Sequence, residues 1–194
     1  VNYLAHFHLS HGDDQLLVGA LLGDFVKGPL TGKRSRGLEQ GILLHRKIDA
    51  YTDSHQQLAQ LQQRFAPEFR RYAGIMTDVV FDHFLNRHWQ RFHHQPLVHF
   101  SQQIYRLISD NQHISAAAKL QADNLVRYDV FGHYGHWETV AGALQHISQR
   151  LKRENPLAIA AAEMEQHYDE LEQGFLVFYP QLQQHAEAVR AQFQ

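Results

Sequence analysis

Asp78, Asp82 and His83 raise the first chemical question in this sequence. They stand in the stretch 75–92, IMTDVVFDHFLNRHWQRF. Read as a helix at about 100° per residue, it puts Ile75, Val79, Phe81, Leu85 and Trp89 on one broad apolar face. Asp78 and Asp82 fall in the middle of that face, one turn apart, with His83 on its flank. Carboxylates on a core-facing stripe are costly unless they are paired, hydrogen-bonded or bound to metal. Two on one stripe also repel each other, and a cation resolves both problems. The plainer alternative has one carboxylate bonding a backbone group and the other pairing with an Arg.

A second stripe offers partners. Over 37–54 (GLEQGILLHRKIDAYTDS), Leu38, Ile42, His45, Asp49 and Thr52 recur at a 4-3-4-3 spacing, widened by Leu44 and Ile48. His45 and Asp49 therefore point where the apolar residues point, while Arg46 and Lys47 lie off the stripe. A lone His there is an ordinary core residue; a His and an Asp one turn apart are also a ligand pair. Asp24 closes the preceding apolar segment 15–25. Mixed imidazole and carboxylate donors without sulfur suit Mn²⁺, Mg²⁺, Fe or Zn²⁺. Such an ion acidifies water and neutralises a phosphoryl oxygen.

Other signatures are absent. There is no H-E-x-x-H, no E-x-x-H of the di-iron bundles, no Walker A or G-x-G-x-x-G, and no G-x-S-x-G elbow. Cys is absent, which removes disulfides, thiolate sites and a Cys nucleophile and suits a reducing compartment. A formal net charge of −2 gives no global field for nucleic acid or membrane. The 16 His against 18 Lys plus Arg raise the expectation of metal or acid–base chemistry only modestly. The opening VNYLAHFHLSHGDD lacks a basic region and is not expected to be a signal peptide, and the apolar run 16–23 is too short to span a bilayer.

The elements that must position these residues are helical throughout, with no useful period-2 stretch. The pattern predicts helices over 2–11, 15–25 after the Gly12-Asp13-Asp14 turn and cap, 37–54, 56–65, 75–92, 97–109, 115–127 and 137–151. A last long helix is expected from Asn155-Pro156, with Pro180 kinking or ending it. Residues 128–135 read as a connector. The loop 27–37 (KGPLTGKRSRG) carries Lys27, Lys33, Arg34 and Arg36 and no acid. It is either a solvated basic loop or an anion-binding lip. No repeat or linker divides the 194 residues, so a single domain over 1–194 is expected.

Five stretches in order resemble the acyl carrier protein phosphodiesterase family, a divergent branch of the HD-type metal phosphohydrolases: NYLAHFHLS, LLGDFVKG, GILLHRKID, TDVVFDHFLNRHW and HYDELEQGFLVFYP. The resemblance implies an all-α, HD-domain-like bundle and a Mn²⁺-dependent reaction in the cytoplasm. That reaction is hydrolysis of holo-acyl carrier protein to apo-acyl carrier protein and 4′-phosphopantetheine. No consecutive His-Asp dipeptide occurs; the nearest thing is the reversed Asp82-His83. Metal ligands are therefore expected from Asp24, His45, Asp49, Asp78, Asp82 and His83. Asp24 or His83, if not a ligand, is the expected proton-transfer group. Lys27 or Arg46 would hold a phosphate oxygen, and Lys33, Arg34 and Arg36 would meet the acidic carrier protein. Two other readings stay open: hydrolysis of a nucleotide or other small phosphoester, and a non-catalytic helical module that binds an acidic protein. His6, His8 and His11 have no assigned role, although His6 is a possible ligand.

Overall fold

Helix α1 (Tyr3–Ser10) is buried at every position from Leu4 to Ser10. A helix apolar on all sides belongs inside a protein, and α1 is wrapped by its neighbours accordingly. The computed structural model describes residues 2–111 and 114–193. Helix α2 (Asp14–Leu22) starts where Asp13 accepts from the amides of Gln15 and Leu16, at 2.8 and 3.0 Å. Helix α3 (Arg36–Ser54) starts at Ser35, whose side chain accepts from Leu38 N. These side-chain oxygens satisfy amides that have no partner in the first helical turn. Gly19 and Gly41 let α2 and α3 touch backbone to backbone. A Cβ on Gly19 would lie 2.6 Å from Gly41 Cα and from Leu38 O.

Next come α4 (Gln56–Gln62), α5 (Ala73–Arg87), α6 (Trp89–Phe92), α7 (Leu97–Asp110), α8 (Ala116–Arg127), α9 (Val130–His133), α10 (Trp137–Arg150), α11 (Ala160–Gln166) and α12 (Tyr168–Arg190). Short 3-10 turns precede α5 and α11 and follow α12. No strand occurs among the described residues, so the architecture is all-α. One continuous buried cluster runs from Leu4 to Val189. A smaller one joins Val18, Leu22, Ile42 and Ala118. No described helix is long and apolar enough to cross a membrane.

Three expectations change in detail. The stretch 75–92 is two helices, interrupted at His88, where the backbone turns to φ −102°, ψ 19°. Residues 128–135 are not a bare connector, because Asp129 caps the short α9 by accepting from Gly132 N. The last segment breaks at His167, and α12 then runs straight through Pro180. That proline removes one N–H from the helix but does not end it.

Candidate metal centre

His6 of α1 and His45 of α3 lie face to face, with ring centroids 3.8 Å apart and planes 10° from parallel. Asp49, one turn after His45, faces both edges. Its Oδ1 is 3.0 Å from His6 Nε2 and its Oδ2 is 3.1 Å from His45 Nε2. Asp24, just past α2, reaches the same imidazole, with Oδ1 3.6 Å from His45 Nε2. The backbone orients His45: its Nδ1–H donates to Ala20 O at 2.8 Å, which aims Nε2 at the carboxylates. Gly23 makes this approach possible, because a Cβ there would overlap the His45 ring.

The cluster opens into a cavity of about 270 Å³. Asp24, Asp49, Asp53 and Asp78 all line it, with Tyr3 and Ile147 on the far wall. The titrations follow from this arrangement. Burial works to depress His45, but hydrogen bonds from the ring to Asp24 and Asp49 outweigh it and hold the imidazolium up to about 9. Burial, reinforced by the positive His45, pushes His6 down to about 4. Burial raises Asp49, but His45 and His6 overcome that and hold it well below the usual carboxylate range. Asp24 is lowered in the same way, chiefly by His45 against burial. Asp78 moves the other way, pushed up by burial and by the charges of Asp49 and Asp53. Burial and Asp24 raise Tyr3, so its hydroxyl stays protonated and donates to Asp24.

The donor chemistry fits a divalent cation. One ligand atom each from His6, His45 and Asp49 lies within 4.8 Å of the others, as a single ion requires. The ligands are nitrogen and oxygen only, with further carboxylates on the same cavity wall. His6 Nδ1 is buried without a hydrogen-bond partner among the described residues, so the ring is held by its Asp49 contact and by stacking on His45.

The structure therefore brings Asp24, His45, Asp49 and Asp78 together and leaves two expected residues outside. Asp82 is fully buried, and its carboxylate accepts from Leu4 N at 2.8 Å and Ala5 N at 3.1 Å. It caps α1, the role of a carboxylate bonded to backbone, and lines no part of the cavity. Burial pushes it up to about 7 against those two amide bonds. His83 donates from Nδ1 to Tyr134 O at 2.8 Å and accepts the Tyr168 hydroxyl at Nε2, 2.9 Å away. Burial lowers it, and both of its nitrogens are occupied far from the cluster. Asp78 and Asp82 meet different neighbours because α5 is buried around nearly its whole circumference. One turn along such a helix moves a side chain from the cavity edge to a different neighbour.

The expected anion-binding residues do not reach the cavity either. Arg46 donates to Val26 O at 2.7 Å and braces the chain after Asp24. Arg36 donates to Phe193 O at 2.8 Å. Lys27, Lys33 and Arg34 are exposed, and Glu39 ties the loop through the amides of Gly32 and Arg34. Sequence reasoning left His6 unplaced and passed over Tyr3 and Asp53. An all-apolar helix gives no face from which to orient His6. Asp53 had a signal, since His45, Asp49 and Asp53 recur every fourth residue on α3.

Two imidazoles and several carboxylates thus converge on an open cavity of an all-helical protein, a donor set of the kind that could hold a divalent ion. The model of one family, described as acyl carrier protein phosphodiesterase, matches residues 1–182. Curated relatives of that name agree over nearly their full length. The protein of Serratia proteamaculans is 34% identical over 188 residues, covering 96% of this chain and 97% of its own. That of Pectobacterium atrosepticum is 35% identical over 187 residues, covering 95% and 96%. That of Klebsiella pneumoniae strain 342 is 32% identical over 194 residues, covering 96% and 98%. No solved structure gives a significant match. The chain belongs to the acyl carrier protein phosphodiesterase family.

Proposed function

We propose that this chain is a metal-dependent phosphodiesterase that hydrolyses holo-acyl carrier protein to apo-acyl carrier protein and 4′-phosphopantetheine. Family membership over the whole chain supports the substrate. The observation that carries the chemistry is the convergence of His6, His45, Asp24, Asp49, Asp53 and Asp78 on one cavity. His6, His45 and Asp49 would hold the ion, with Asp24 beside them at His45. Their nitrogen and oxygen donors are compatible with Mn²⁺, Mg²⁺, Fe or Zn²⁺, and the family resemblance implies Mn²⁺ among these. A divalent cation here supplies Lewis acidity: it neutralises phosphoryl oxygens and makes water acidic enough to attack near neutral pH.

The chain's own groups do the rest. Ala20 O and the Gly23 gap fix the His45 ring, so its Nε2 does not swing away. Tyr3 donates to Asp24 and holds that carboxylate against His45. Asp24 is consequently too acidic to be an effective base at neutral pH. Asp78 is the better proton carrier, because its raised pKa lets it hold a proton and give it to the departing serine oxygen. A cytoplasmic setting follows from the family reading, and a chain without Cys is compatible with it. The test is a chelated protein resupplied with Mn²⁺ and given holo-carrier protein, read by mass. Release of phosphopantetheine that depends on the ion is the expected result. A protein that leaves the carrier intact yet cleaves nucleotides would replace this reading with the small-phosphoester one.

A further inference from the structure

A groove of about 800 Å³ runs away from the cluster between α8, α9 and α10. It shares Asn2, Tyr3 and Ile147 with the metal cavity, so the two spaces adjoin across these residues. The cavity at the cluster is small, about 270 Å³, below the roughly 300–1,000 Å³ of ordinary ligand sites. It suits a phosphodiester and little more, whereas the groove lies within that range. Its chemistry is mixed in a particular way. Leu125, Val130 and Ile147 give apolar wall, and Gln121, Asn124 and Thr139 give uncharged donors and acceptors. Arg150 lines the groove together with Tyr3, a residue the groove shares with the cavity.

We propose that this groove binds the pantetheine arm of the substrate, with Arg150 holding a non-bridging oxygen of the phosphate at the junction. The inference rests on the phosphodiesterase reading for its ligand. The pantetheine arm is an uncharged, extended chain with a branched dimethyl segment, a secondary hydroxyl, two amides and a terminal thiol. Apolar wall interrupted by side-chain amides and a hydroxyl complements that sequence of groups. Among the described residues only one full-time cation lines the groove, which does not suit a polynucleotide backbone, where several phosphates need neutralising. This adjacency then sets direction. With the phosphate at the cluster and the arm in the groove, the carrier's serine leaves toward solvent through the open mouth bordered by Asp24 and Asp53.

Gly142 provides a way to test this without touching the cluster. It lies in α10, lines the groove, and a Cβ there meets nothing within 4 Å. Gly142→Trp fills groove space, and Gly142→Leu is a milder block that also improves helix propensity. Pantetheine, which lacks the phosphate, is titrated into the wild-type protein and followed by amide chemical shifts. Expected are shifts at groove residues, and binding at least tenfold weaker in Gly142→Trp. The KM for holo-carrier protein should rise by at least tenfold, and the leucine variant should fall between. Mn²⁺ stoichiometry and inhibition by inorganic phosphate should stay as in the wild type. Pantetheine that perturbs no groove residue, or that binds Gly142→Trp as well as wild type, overturns the proposal. So does a tryptophan variant that loses phosphate inhibition in parallel, since the block would then act at the cluster. Pantetheine binding in the groove of a protein that releases no phosphopantetheine would keep the groove and reject the phosphodiesterase reading.

Discussion

Replacing Asp82 separates a carboxylate that builds the fold from one that does chemistry. Asp82→Ala removes the acceptors of two buried amides, Leu4 N and Ala5 N, at the start of α1. Each orphaned buried donor costs about 1–3 kcal/mol, so the variant should lose about 4 kcal/mol. For a chain of this length that corresponds to a Tm lower by roughly 8–16 °C. The measurement belongs near pH 5, because the Asp82 carboxyl is raised to about 7. The sign runs as for any raised group. The unfolded chain releases this proton near pH 4 and the native chain holds it to about 7, so its contribution is full below pH 4 and declines as pH rises through 7. Asp82→Asn, which cannot ionise, should therefore compare better with wild type at pH 8 than at pH 5. Differential scanning calorimetry at both values reads this, and Mn²⁺ titration below the transition should give wild-type stoichiometry in the asparagine variant. An asparagine variant with unmoved stability and no metal would refute the capping role and return Asp82 to the ligand set.

Other outcomes follow from the same geometry. Gly23→Ala should drive the His45 ring out of place and cut Mn²⁺ affinity by about 1.4 kcal/mol or more, a tenfold effect by titration, with helix content unchanged by circular dichroism. In the ion-free protein His45 is charged below about pH 9, while His6 is neutral and Asp49 ionised at pH 7. Cation binding at pH 7 should therefore release about one proton, measured by calorimetry in buffers of different ionisation enthalpy. His8 is buried, accepts the Tyr179 hydroxyl and donates to Phe92 O, and burial lowers it to about 3. A lowered His stabilises above its unfolded pKa near 6.5 and loses that contribution as pH falls toward 3, so acid unfolding should have a component that His8→Gln removes.

The helical architecture was legible because most segments are amphipathic, and the caps at Asp13 and Ser115 are local side-chain chemistry. The His45–Asp49 pair was legible for the same reason, since α3 has a clear exposed side and its inward residues stand out. Where a helix is buried all round, period no longer assigns a partner. On α5 the pattern could not distinguish Asp78, at the cavity, from Asp82, under α1. On α1 it could not orient His6 toward α3. The break at His88 was hidden too, because apolar spacing continues across it to Trp89, whose indole N–H is fixed by Gln95 O from beyond the helix.

The charge of the cavity gives one more consequence. Asp24 and Asp49, both held ionised, stand with Asp53 against the His45 imidazolium, so the charges of these groups leave the ion-free space net negative. A phosphodiester is itself an anion and is repelled from such a site; with a divalent ion held by His6, His45 and Asp49 the sign of the interaction reverses. The core histidines show that this field belongs to the site and is not a general habit of the molecule. His8 and His83 take neutral partners on both nitrogens, whereas His6 and His45 turn to carboxylates that solvent can reach. Comparing pantetheine with 4′-phosphopantetheine isolates the effect, because the two differ by the phosphate alone. Adding the phosphate should weaken binding to the chelated protein and strengthen it with Mn²⁺, each by about tenfold or more given charges a few ångströms apart. Equilibrium titration of both ligands, with and without the ion, reads four affinities. If phosphate strengthened binding equally in the chelated protein, basic side chains rather than a cation at the cluster would be recognising the substrate.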